Sequence, residues 1–387
     1  MTDPKEGIVG RRNKGKRGHQ RVEFRPNRQQ PGRRRHLGAP DLTDEAVEDV
    51  VLGESVRAKG ELSRKRTVVE RAGAEPAAGR RIRGLATAVR GAYVEVDDGE
   101  QTWLCTIRRI LRTRAIDTRS PVVVGDEVTC LLPEGDAARE GVIETVHPRR
   151  SVLARSDGRR RHVIAANVDQ AVIVSSIREP MVKEHLIDRY LVAAHHGGIA
   201  GIVCINKADL DAYGEIPEIL ERYRRIGYPA VAASARTGEG IDALRALLAG
   251  KTTILSGQSG VGKSSLLNAI HPAWGLKTAE VSEATEKGRH TTTTAIRLKL
   301  PGGGAVIDTP GIRALDVAMV PLHELEMHFV EFVERVKDCK YPDCVHIHED
   351  GCAIKAAVEA GGIDPHRYES YLELFLELSE LRADRMQ

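Results

Sequence analysis

The pattern of apolar and polar positions indicates that residues 82–150 are built from short β-strands. Apolar residues alternate with polar ones in short runs, and turn residues such as Asp97-Asp98-Gly99 separate these runs. The predicted strands are Leu85–Val89, Ala92–Val96, Trp103–Ile107, Asp126–Leu132 and Gly141–Val146. So many short strands within about 65 residues predict a small β-barrel of the OB type, a common scaffold for binding single-stranded nucleic acids.

The pattern changes after this region, because strands then alternate with amphipathic helices. The predicted strands are Asp169–Ile177, Ile199–Asn206, Pro229–Ser234 and Thr252–Leu255, and the predicted helices are Lys183–His196, Glu215–Arg225, Ile241–Leu248 and Ser265–Ile270. Two further strands, Thr294–Leu300 and Ala305–Thr309, flank Gly302-Gly303-Gly304 and should form a hairpin at the sheet edge. This alternation predicts an α/β domain with a doubly wound, mostly parallel sheet.

A glycine-rich turn connects one of these strands to the helix that follows it. It fits the pattern G-x-x-x-x-G-K-[ST], and its residues are Gly257, Gln258, Ser259, Gly260, Val261, Gly262, Lys263 and Ser264. Backbone N–H groups in such a turn surround phosphate oxygens, and the helix dipole adds positive potential. We expect Lys263 to contact the β- and γ-phosphates and Ser264 to bind Mg²⁺, with Ser265 beside them. The turn therefore predicts a nucleoside triphosphate site.

The base of this nucleotide is indicated by a tetrad that follows the strand Ile199–Asn206. Asn206, Lys207 and Asp209 form an N-K-x-D pattern, in which the carboxylate accepts hydrogen bonds from the N1–H and amino groups of guanine. Adenine lacks this pair of donors, so a buried carboxylate would reject it. Asn206 would hold the loop, and Lys207 would lie along the base. Ser234 and Ala235 follow the next strand, where a second contact to the base is expected.

The strand Ala305–Thr309 leads into the D-x-x-G segment Asp308-Thr309-Pro310-Gly311. In this segment Asp308 would bind Mg²⁺ and Gly311 would sense the γ-phosphate. The N-K-x-D tetrad precedes the phosphate loop here, whereas most GTPases carry it late in the chain. Because parallel strands bring their carboxyl ends to one edge, the motifs still converge. The sequence thus predicts a circularly permuted GTPase domain.

The polar segment from Glu286 to Thr294 should act as a switch loop. We expect Thr292 to complete the Mg²⁺ shell when GTP is bound. Ile312 stands where Ras-like enzymes carry the glutamine that orients water, so intrinsic hydrolysis should be slow unless another group acts. His290 is the nearest candidate, and the residues leave open whether it is catalytic or an exposed loop histidine.

Near the C-terminus, three cysteines and one histidine lie within a short stretch: Cys339, Cys344, His346 and Cys352. They supply a full tetrahedral shell for one structural Zn²⁺ ion. His348 could replace His346, and reduced buried cysteines beside surface histidines are the alternative reading. Apolar residues at helical spacing in Glu324–Val336 and Tyr368–Leu381 predict a small helical zinc-binding domain.

The formal net charge of +3 conceals a basic N-terminal tail. Residues 1–36 hold twelve basic and three acidic residues, which favours an arm that neutralises nucleic-acid phosphates or, alternatively, a solvated tail. Arginines at positions 108, 109, 112 and 114 predict either an RNA contact at the barrel rim or a solvated basic loop. No apolar run approaches the roughly 18 residues that span a bilayer, and we find no secretory signal. We therefore expect a cytoplasmic protein that does not bind membranes.

These patterns predict a multidomain chain with four parts. We expect a basic disordered tail and linker over 1–81, an OB-type β-barrel over 82–150, a circularly permuted α/β P-loop GTPase domain over 151–320, and an α-helical zinc-binding domain over 321–387.

The motifs N-K-A-D, G-Q-S-G-V-G-K-S, G-R-H-T-T-T and D-T-P-G, followed by C-x4-C-x-H-x5-C, together resemble the bacterial small ribosomal subunit biogenesis GTPases. The resemblance covers residues 82 to 387. It implies a cytoplasmic, monomeric enzyme that hydrolyses GTP to GDP slowly and is stimulated by the small ribosomal subunit. It also implies binding to ribosomal RNA, a role for His290 in hydrolysis, and the release of an assembly factor late in subunit maturation.

Two other classes of protein remain open on the sequence. The chain could be an RNA-binding chaperone that uses GTP as a conformational ligand. It could also be a metal-trafficking GTPase, in which case the zinc ion should exchange readily.

Overall fold

The computed structural model of the chain describes residues 19–23, 54–58, 65–70, 79–108, 111, 121–133, 139–156, 161–276, 295–308 and 315–386. Its first elements are strands β1 (His19–Glu23), β2 (Glu54–Ala58) and β3 (Lys65–Glu70). They form an antiparallel sheet with β3 in the centre. We expected no strand in this range, because many charged residues surround the β-branched run Thr67-Val68-Val69.

Five strands then close into a barrel: β4 (Gly79–Arg90), β5 (Tyr93–Asp97), β6 (Thr102–Ile107), β7 (Glu127–Pro133) and β8 (Glu140–Val146). The barrel closes because β4 pairs with β5 and also with β7, while β8 lies between β6 and β7. Ala86, Val94, Cys105 and Ile143 are buried in the interior. The predicted barrel is confirmed, although β4 starts well before the predicted Leu85 because its first half pairs with β7.

A hairpin that the sequence analysis missed connects the barrel to the next sheet. Strands β9 (Val152–Ser156) and β10 (Arg161–Ala166) pair in antiparallel fashion. The sequence pattern did not identify these strands, because arginines flank their apolar residues. Two of these apolar residues, Leu153 and Ala165, are buried. The side chain of Asn167 fixes the end of the hairpin, because its Nδ2 donates to the Gly125 carbonyl at 2.8 Å and its Oδ1 accepts from the Arg150 amide at 2.9 Å.

The α/β region alternates strands and helices as the sequence predicts. Its elements are β11 (Gln170–Ser176), α1 (Glu184–His196), β12 (Ala200–Asn206), α2 (Ile216–Arg225), β13 (Ala230–Ala232), α3 (Ile241–Leu248), β14 (Thr252–Ser256), α4 (Lys263–Ile270), β15 (Ile296–Lys299) and β16 (Ala305–Asp308). The strand order is β13-β12-β11-β14-β16-β15, and all neighbours are parallel except β15 and β16. A single pair, Ile296 opposite Ala88, joins this sheet to the barrel.

Both faces of the parallel sheet are buried, which explains why its strands are almost continuously apolar. On one face Ile173 and Val203 pack with residues of α1 and α2. On the other face Val174 and Cys204 pack with residues of α3 and α4. Complete burial raises the pKa of the Cys204 thiol to about 12, so this cysteine acts as a small apolar core residue.

The C-terminal region contains three short 3₁₀ helices, Val317–Met319, Leu322–His328 and Val336–Asp338, followed by α5 (Ala353–Glu359) and α6 (Pro365–Met386). The α-helical spacing predicted over Glu324–Val336 instead folds as 3₁₀ turns. The Phe332 amide donates to the Phe329 carbonyl at 2.8 Å, and the Arg335 amide donates to the Phe332 carbonyl at 2.7 Å. This three-residue repeat places both phenylalanines on one side, against Tyr371.

Helix α1 belongs to the α/β region but also packs against the C-terminal region. Val192 lies in the same apolar cluster as Phe329, Tyr371 and Leu374. The helices α1 and α6 therefore share a core. Within the described ranges, no helix combines the length and the apolar character that crossing a membrane requires.

Candidate functional site

The carboxyl ends of the parallel strands bring the sequence motifs to one edge of the sheet. Strand β12 ends at Asn206, β14 ends at Ser256 just before the phosphate loop, and β16 ends at Asp308. Because these strands run in the same direction, the three motifs meet although they are far apart in sequence. The permuted order of the motifs therefore does not prevent a common site.

Asn206 forms a direct link between the tetrad and the phosphate loop. Its Nδ2 donates to the Val261 carbonyl at 2.7 Å, and its side chain is almost fully buried. Gly262 has φ 88°, and a Cβ at this position would lie 2.4 Å from Nδ2 of Asn206. Glycine is therefore required here both by conformation and by the close approach of Asn206. Asn206 Oδ1 is buried and lacks a hydrogen-bond partner among the described residues.

The phosphate loop is open on its outer side, where Gln258, Ser259 and Gly260 are exposed. Lys263, the first residue of α4, turns back into the loop, and its Nζ donates to the carbonyls of Gly257 and Gln258 at 2.8 Å each. Burial lowers the pKa of Lys263, while the nearby charge of Asp308 opposes this effect. An ammonium group held over the loop in this way suits a phosphate ligand, which would replace the two carbonyls as its partner.

Asp209, the last residue of the tetrad, has a carboxylate that is mostly buried. The Ser234 hydroxyl donates to Oδ1, and Arg236 Nε donates to Oδ2 at 2.8 Å. The hydrogen bond from Ser234, aided by Arg236, lowers the pKa of Asp209, so the carboxylate is ionised at neutral pH. The adjacent Ala235 is half-buried. Sequence reasoning missed Arg236, although its place directly after the S-A turn could have suggested a contact to the base pocket.

Lys207 adopts a left-handed backbone conformation with φ 58°. Its Nζ donates to the Glu179 carbonyl, in the loop that follows β11. The contact holds the lysine side chain beside the tetrad at the carboxyl edge of the sheet. This position agrees with a side chain that lies along a bound base.

Several residues expected to take part in hydrolysis lie outside the described residues. These are the switch residues His290 and Thr292, and Gly311 and Ile312 of the segment after β16. Of the three expected Mg²⁺ ligands, Ser264 and Asp308 are described and lie at the phosphate side of the site. The roles of all these residues stay predictions.

The C-terminal cysteines and histidine form a compact cluster. The ligand atoms of Cys339, Cys344, His346 and Cys352 all lie within 4.8 Å of one another. His346 Nδ1 is 3.6 Å from Cys339 Sγ and 3.4 Å from Cys352 Sγ. Sulfur and nitrogen ligands of one tetrahedral zinc ion lie about 3.5 Å apart, so the donor set fits a zinc ion.

Contacts around the cluster orient its histidine. His346 Nε2 is 2.7 Å from Glu326 Oε2, which leaves Nδ1 facing the thiols, whereas His348 is exposed. The Tyr368 hydroxyl also donates to the His346 carbonyl at 2.7 Å. Partners of this kind set the tautomer of a metal-binding imidazole. The sequence analysis missed Glu326, because its contact with His346 arises only when the chain folds back.

The parallel sheet, its phosphate loop and the tetrad that contacts this loop define a P-loop GTPase with circularly permuted motifs. The sequence model for the family described as RsgA GTPase matches residues 146–318. The chain is 41% identical over 303 residues to the small ribosomal subunit biogenesis GTPase RsgA of Shewanella oneidensis, covering 76% of this chain and 82% of that protein. The corresponding protein of Thermotoga maritima is 40% identical over 303 residues, covering 77% and 97%.

Two solved structures agree with this assignment. The crystal structure of YjeQ from Thermotoga maritima is 37% identical with a TM-score of 0.64, covering 77% of this chain and 99% of that one. The structure of YloQ, described as a circularly permuted GTPase, is 31% identical with a TM-score of 0.62, covering 78% and 96%. The chain belongs to the RsgA GTPase family and is a GTP-hydrolysing enzyme. The predicted family, fold class and enzyme class are confirmed.

Proposed function

We propose that the chain is a monomeric, cytoplasmic GTPase of small ribosomal subunit biogenesis, which hydrolyses GTP to GDP and phosphate. The names of its relatives support this role. The observation that carries the nucleotide site is the hydrogen bond from Asn206 to Val261, because it joins the base-reading tetrad to the phosphate loop.

The base is guanine in this proposal, and Asp209 accepts hydrogen bonds from its N1–H and amino groups. Ser234 and Arg236 support this role, since they keep the carboxylate ionised and fixed. A carboxylate has several acceptor positions, so it can hold these two partners and the base together. Lys207 and Ala235 complete the contacts around the base.

The phosphates lie against the loop 257–264, with Lys263 at the β- and γ-phosphates and Ser265 at the helix start. Ser264, Thr292 and Asp308 would hold a Mg²⁺ ion, which would supply positive charge to neutralise the phosphates. Gly311 senses the γ-phosphate. With Ile312 in place of a water-orienting glutamine, intrinsic turnover is slow, and His290 supports the stimulated reaction.

One Zn²⁺ ion, bound by Cys339, Cys344, His346 and Cys352, stabilises the C-terminal domain. The four ligands leave no open position, so the ion supplies structure rather than chemistry. The short distances from His346 Nδ1 to two thiols support this assignment. A closed shell of this kind also argues against a metal-trafficking role.

We propose that the partner is the small subunit with its ribosomal RNA, and that binding stimulates hydrolysis and promotes release of an assembly factor. The basic residues 1–36 and the arginines after β6 supply positive charge for this contact. The alternative is an RNA-binding chaperone for which GTP is only a conformational ligand.

The test is turnover of GTP and of ATP by the full chain, alone and with purified small or large ribosomal subunits. We expect slow GTP turnover that only the small subunit stimulates, and no ATP turnover. Stimulation by both subunits or by neither would contradict the proposed partner. If the small subunit left GTP turnover unchanged and the chain bound RNA only in the presence of GTP, the chaperone function would be favoured instead.

The role of His290 requires a separate experiment. His290→Ala should lose stimulated turnover while GDP binding, measured by titration calorimetry, stays normal. Retention of stimulated turnover by this variant would remove His290 from the mechanism.

A further inference from the structure

Three histidines and a glutamate meet where the end of α1 packs against the 3₁₀ helix Leu322–His328. They are His195 and His196 on α1, and Glu324 and His328 on the 3₁₀ helix. One ligand atom each of His196, Glu324 and His328 lies within 4.8 Å of the other two. The cluster contains no cysteine and shares no residue with the zinc cluster around His346.

This cluster lies away from the nucleotide. Strand β12 begins at Ala200, shortly after His196, and runs from there to the nucleotide edge at Asn206. His196 therefore lies near the amino ends of the parallel strands, whereas the nucleotide site lies at their carboxyl ends. Neither guanine recognition nor phosphate binding accounts for the cluster.

His328 is the buried member, with only 8% of its surface exposed. Its Nδ1 lies 2.8 Å from Nδ1 of His195, which makes one hydrogen bond between the two rings. Its Nε2 is buried and has no hydrogen-bond partner among the described residues. When Nδ1 of His328 donates to His195, the lone pair on Nε2 points into the protein with nothing to bind it.

The ring of His328 is in the form that binds metals. Burial, together with the nearby rings of His195 and His196, lowers the pKa of His328 to about 4. The neutral imidazole is therefore the favoured form of this ring. A neutral imidazole with one N–H held by an outer partner is the usual arrangement of a histidine ligand.

We propose that His196, Glu324 and His328 bind a divalent transition metal ion of the zinc class, with His195 positioning His328. Two imidazoles and a carboxylate suit Zn²⁺, and three protein ligands leave its fourth position to water. Such an ion would join the end of α1 to the C-terminal region.

Closure around the ion requires only small side-chain movements. Ligands of one zinc ion lie about 3.3–3.6 Å apart, so atoms that are all within 4.8 Å need to approach by at most about 1.5 Å. The side chains of His196 and Glu324 are 25% and 47% exposed, and they can rotate to do this. His328 is already fixed by its burial and by His195.

The experiment is calorimetric titration of Zn²⁺ into the full chain, after a weak chelator has removed loosely bound metal but not the ion held by the cysteines. We expect one additional equivalent in the wild type. Glu324→Gln and His328→Gln should each weaken this binding at least tenfold. His185→Gln is the matched control, because His185 is exposed near the start of α1, at the other end of this helix from His196; it should bind as the wild type does.

Thermal unfolding gives a second readout that does not depend on GTP turnover. Added Zn²⁺ should raise the midpoint of the wild type and of His185→Gln, but not that of Glu324→Gln. Glu324 is partly exposed, so its replacement should leave the chain folded. Absence of an additional equivalent in the wild type, or equal affinity in Glu324→Gln, would overturn the proposal.

Discussion

At the scale of single residues, the proposed contact to guanine rests on one mostly buried carboxylate whose orientation is already fixed. Asp209 is oriented by Ser234 on one oxygen and by Arg236 on the other. Neither partner blocks all the acceptor positions of the carboxylate. In the proposed function, guanine binding would therefore require no change in the ionisation of Asp209.

We expect Asp209→Asn to weaken GTP binding by about a hundredfold or more. Two hydrogen bonds to a charged acceptor are lost, each worth about 1.5–3 kcal/mol, and the new amide donor faces the donors of guanine. Xanthine carries an oxygen in place of the guanine amino group, so the variant should gain affinity for xanthosine triphosphate.

Equilibrium titration with fluorescent analogues of GTP and xanthosine triphosphate measures this change in base preference. Asp211→Asn is the control, because Asp211 caps the start of α2 rather than facing the base. Tight GTP binding by Asp209→Asn would show that another group reads the base.

Sequence alone could predict residues whose chemistry is local to a motif. Lys263 and Asp209 follow from fixed spacings, because the backbone of a phosphate loop or a tetrad places them. Arg236 was missed although it directly follows the S-A turn, whereas Glu326 could not be predicted, since it acquires its role from a partner distant in sequence. His348 could not be separated from His346 for the same reason.

At the scale of elements, alternation of apolar residues identified strands that are buried on one or two faces. It failed for β9 and β10, where arginines dominate the composition, and for the first half of β4, whose partner β7 lies far along the chain. It also predicted α-helical turns around Phe329 and Phe332, although a spacing of three residues fits a 3₁₀ turn equally well.

The contact between two elements, the tetrad after β12 and the phosphate loop, gives a prediction. Asn206→Ala removes the hydrogen bond to the Val261 carbonyl, which is then buried without this donor. We expect a loss of about 1–3 kcal/mol in stability and a loss of about tenfold or more in affinity for both GDP and GTP.

Asn268→Ala is the matched comparison, since Asn268 makes similar hydrogen bonds to Leu276 at the far end of α4. It should lose stability without losing nucleotide affinity. The two variants are compared by urea unfolding and by GDP titration. If both variants bound nucleotide with equal affinity, the hydrogen bond from Asn206 to Val261 would not contribute to nucleotide binding.

At the scale of the whole molecule, buried charge holds the C-terminal region against α1. Arg367 of α6 is almost fully buried, with Nη1 2.6 Å from Asp188 Oδ1 of α1 and Nε 2.6 Å from Glu331 Oε1. Its guanidinium also lies over the ring of Phe329 at 4.7 Å. One cation thus compensates two buried carboxylates from different parts of the chain.

Arg367→Met should destabilise the chain by about 3–5 kcal/mol, because it leaves Asp188 and Glu331 buried without their counter-charge. Arg225→Met serves as the control, since Arg225 and its partner Glu221 are both largely exposed and such pairs contribute about 0–1 kcal/mol. Urea unfolding at pH 7 measures the difference. Similar stabilities for the two variants would contradict the importance of the buried network.

At this scale, the permuted order of motifs also places the expected γ-phosphate sensor directly before the C-terminal region in the chain. Strand β16 ends at Asp308, an expected Mg²⁺ ligand. Leu315 is buried in the core beneath the parallel sheet, and Val317 is buried in the C-terminal core. A shift that reached Leu315 or Val317 would therefore change the packing of one of these cores.

We expect the nucleotide state to change the protection of the C-terminal region from hydrogen exchange. The buried contacts of Arg367 keep α6 on α1, so the difference between GDP and a GTP analogue should concentrate in residues 315–352. Peptides from β11 and β12 serve as the internal reference, because these central strands are buried on both faces. Equal protection of residues 315–386 in the two states would mean that the γ-phosphate is sensed without moving this region.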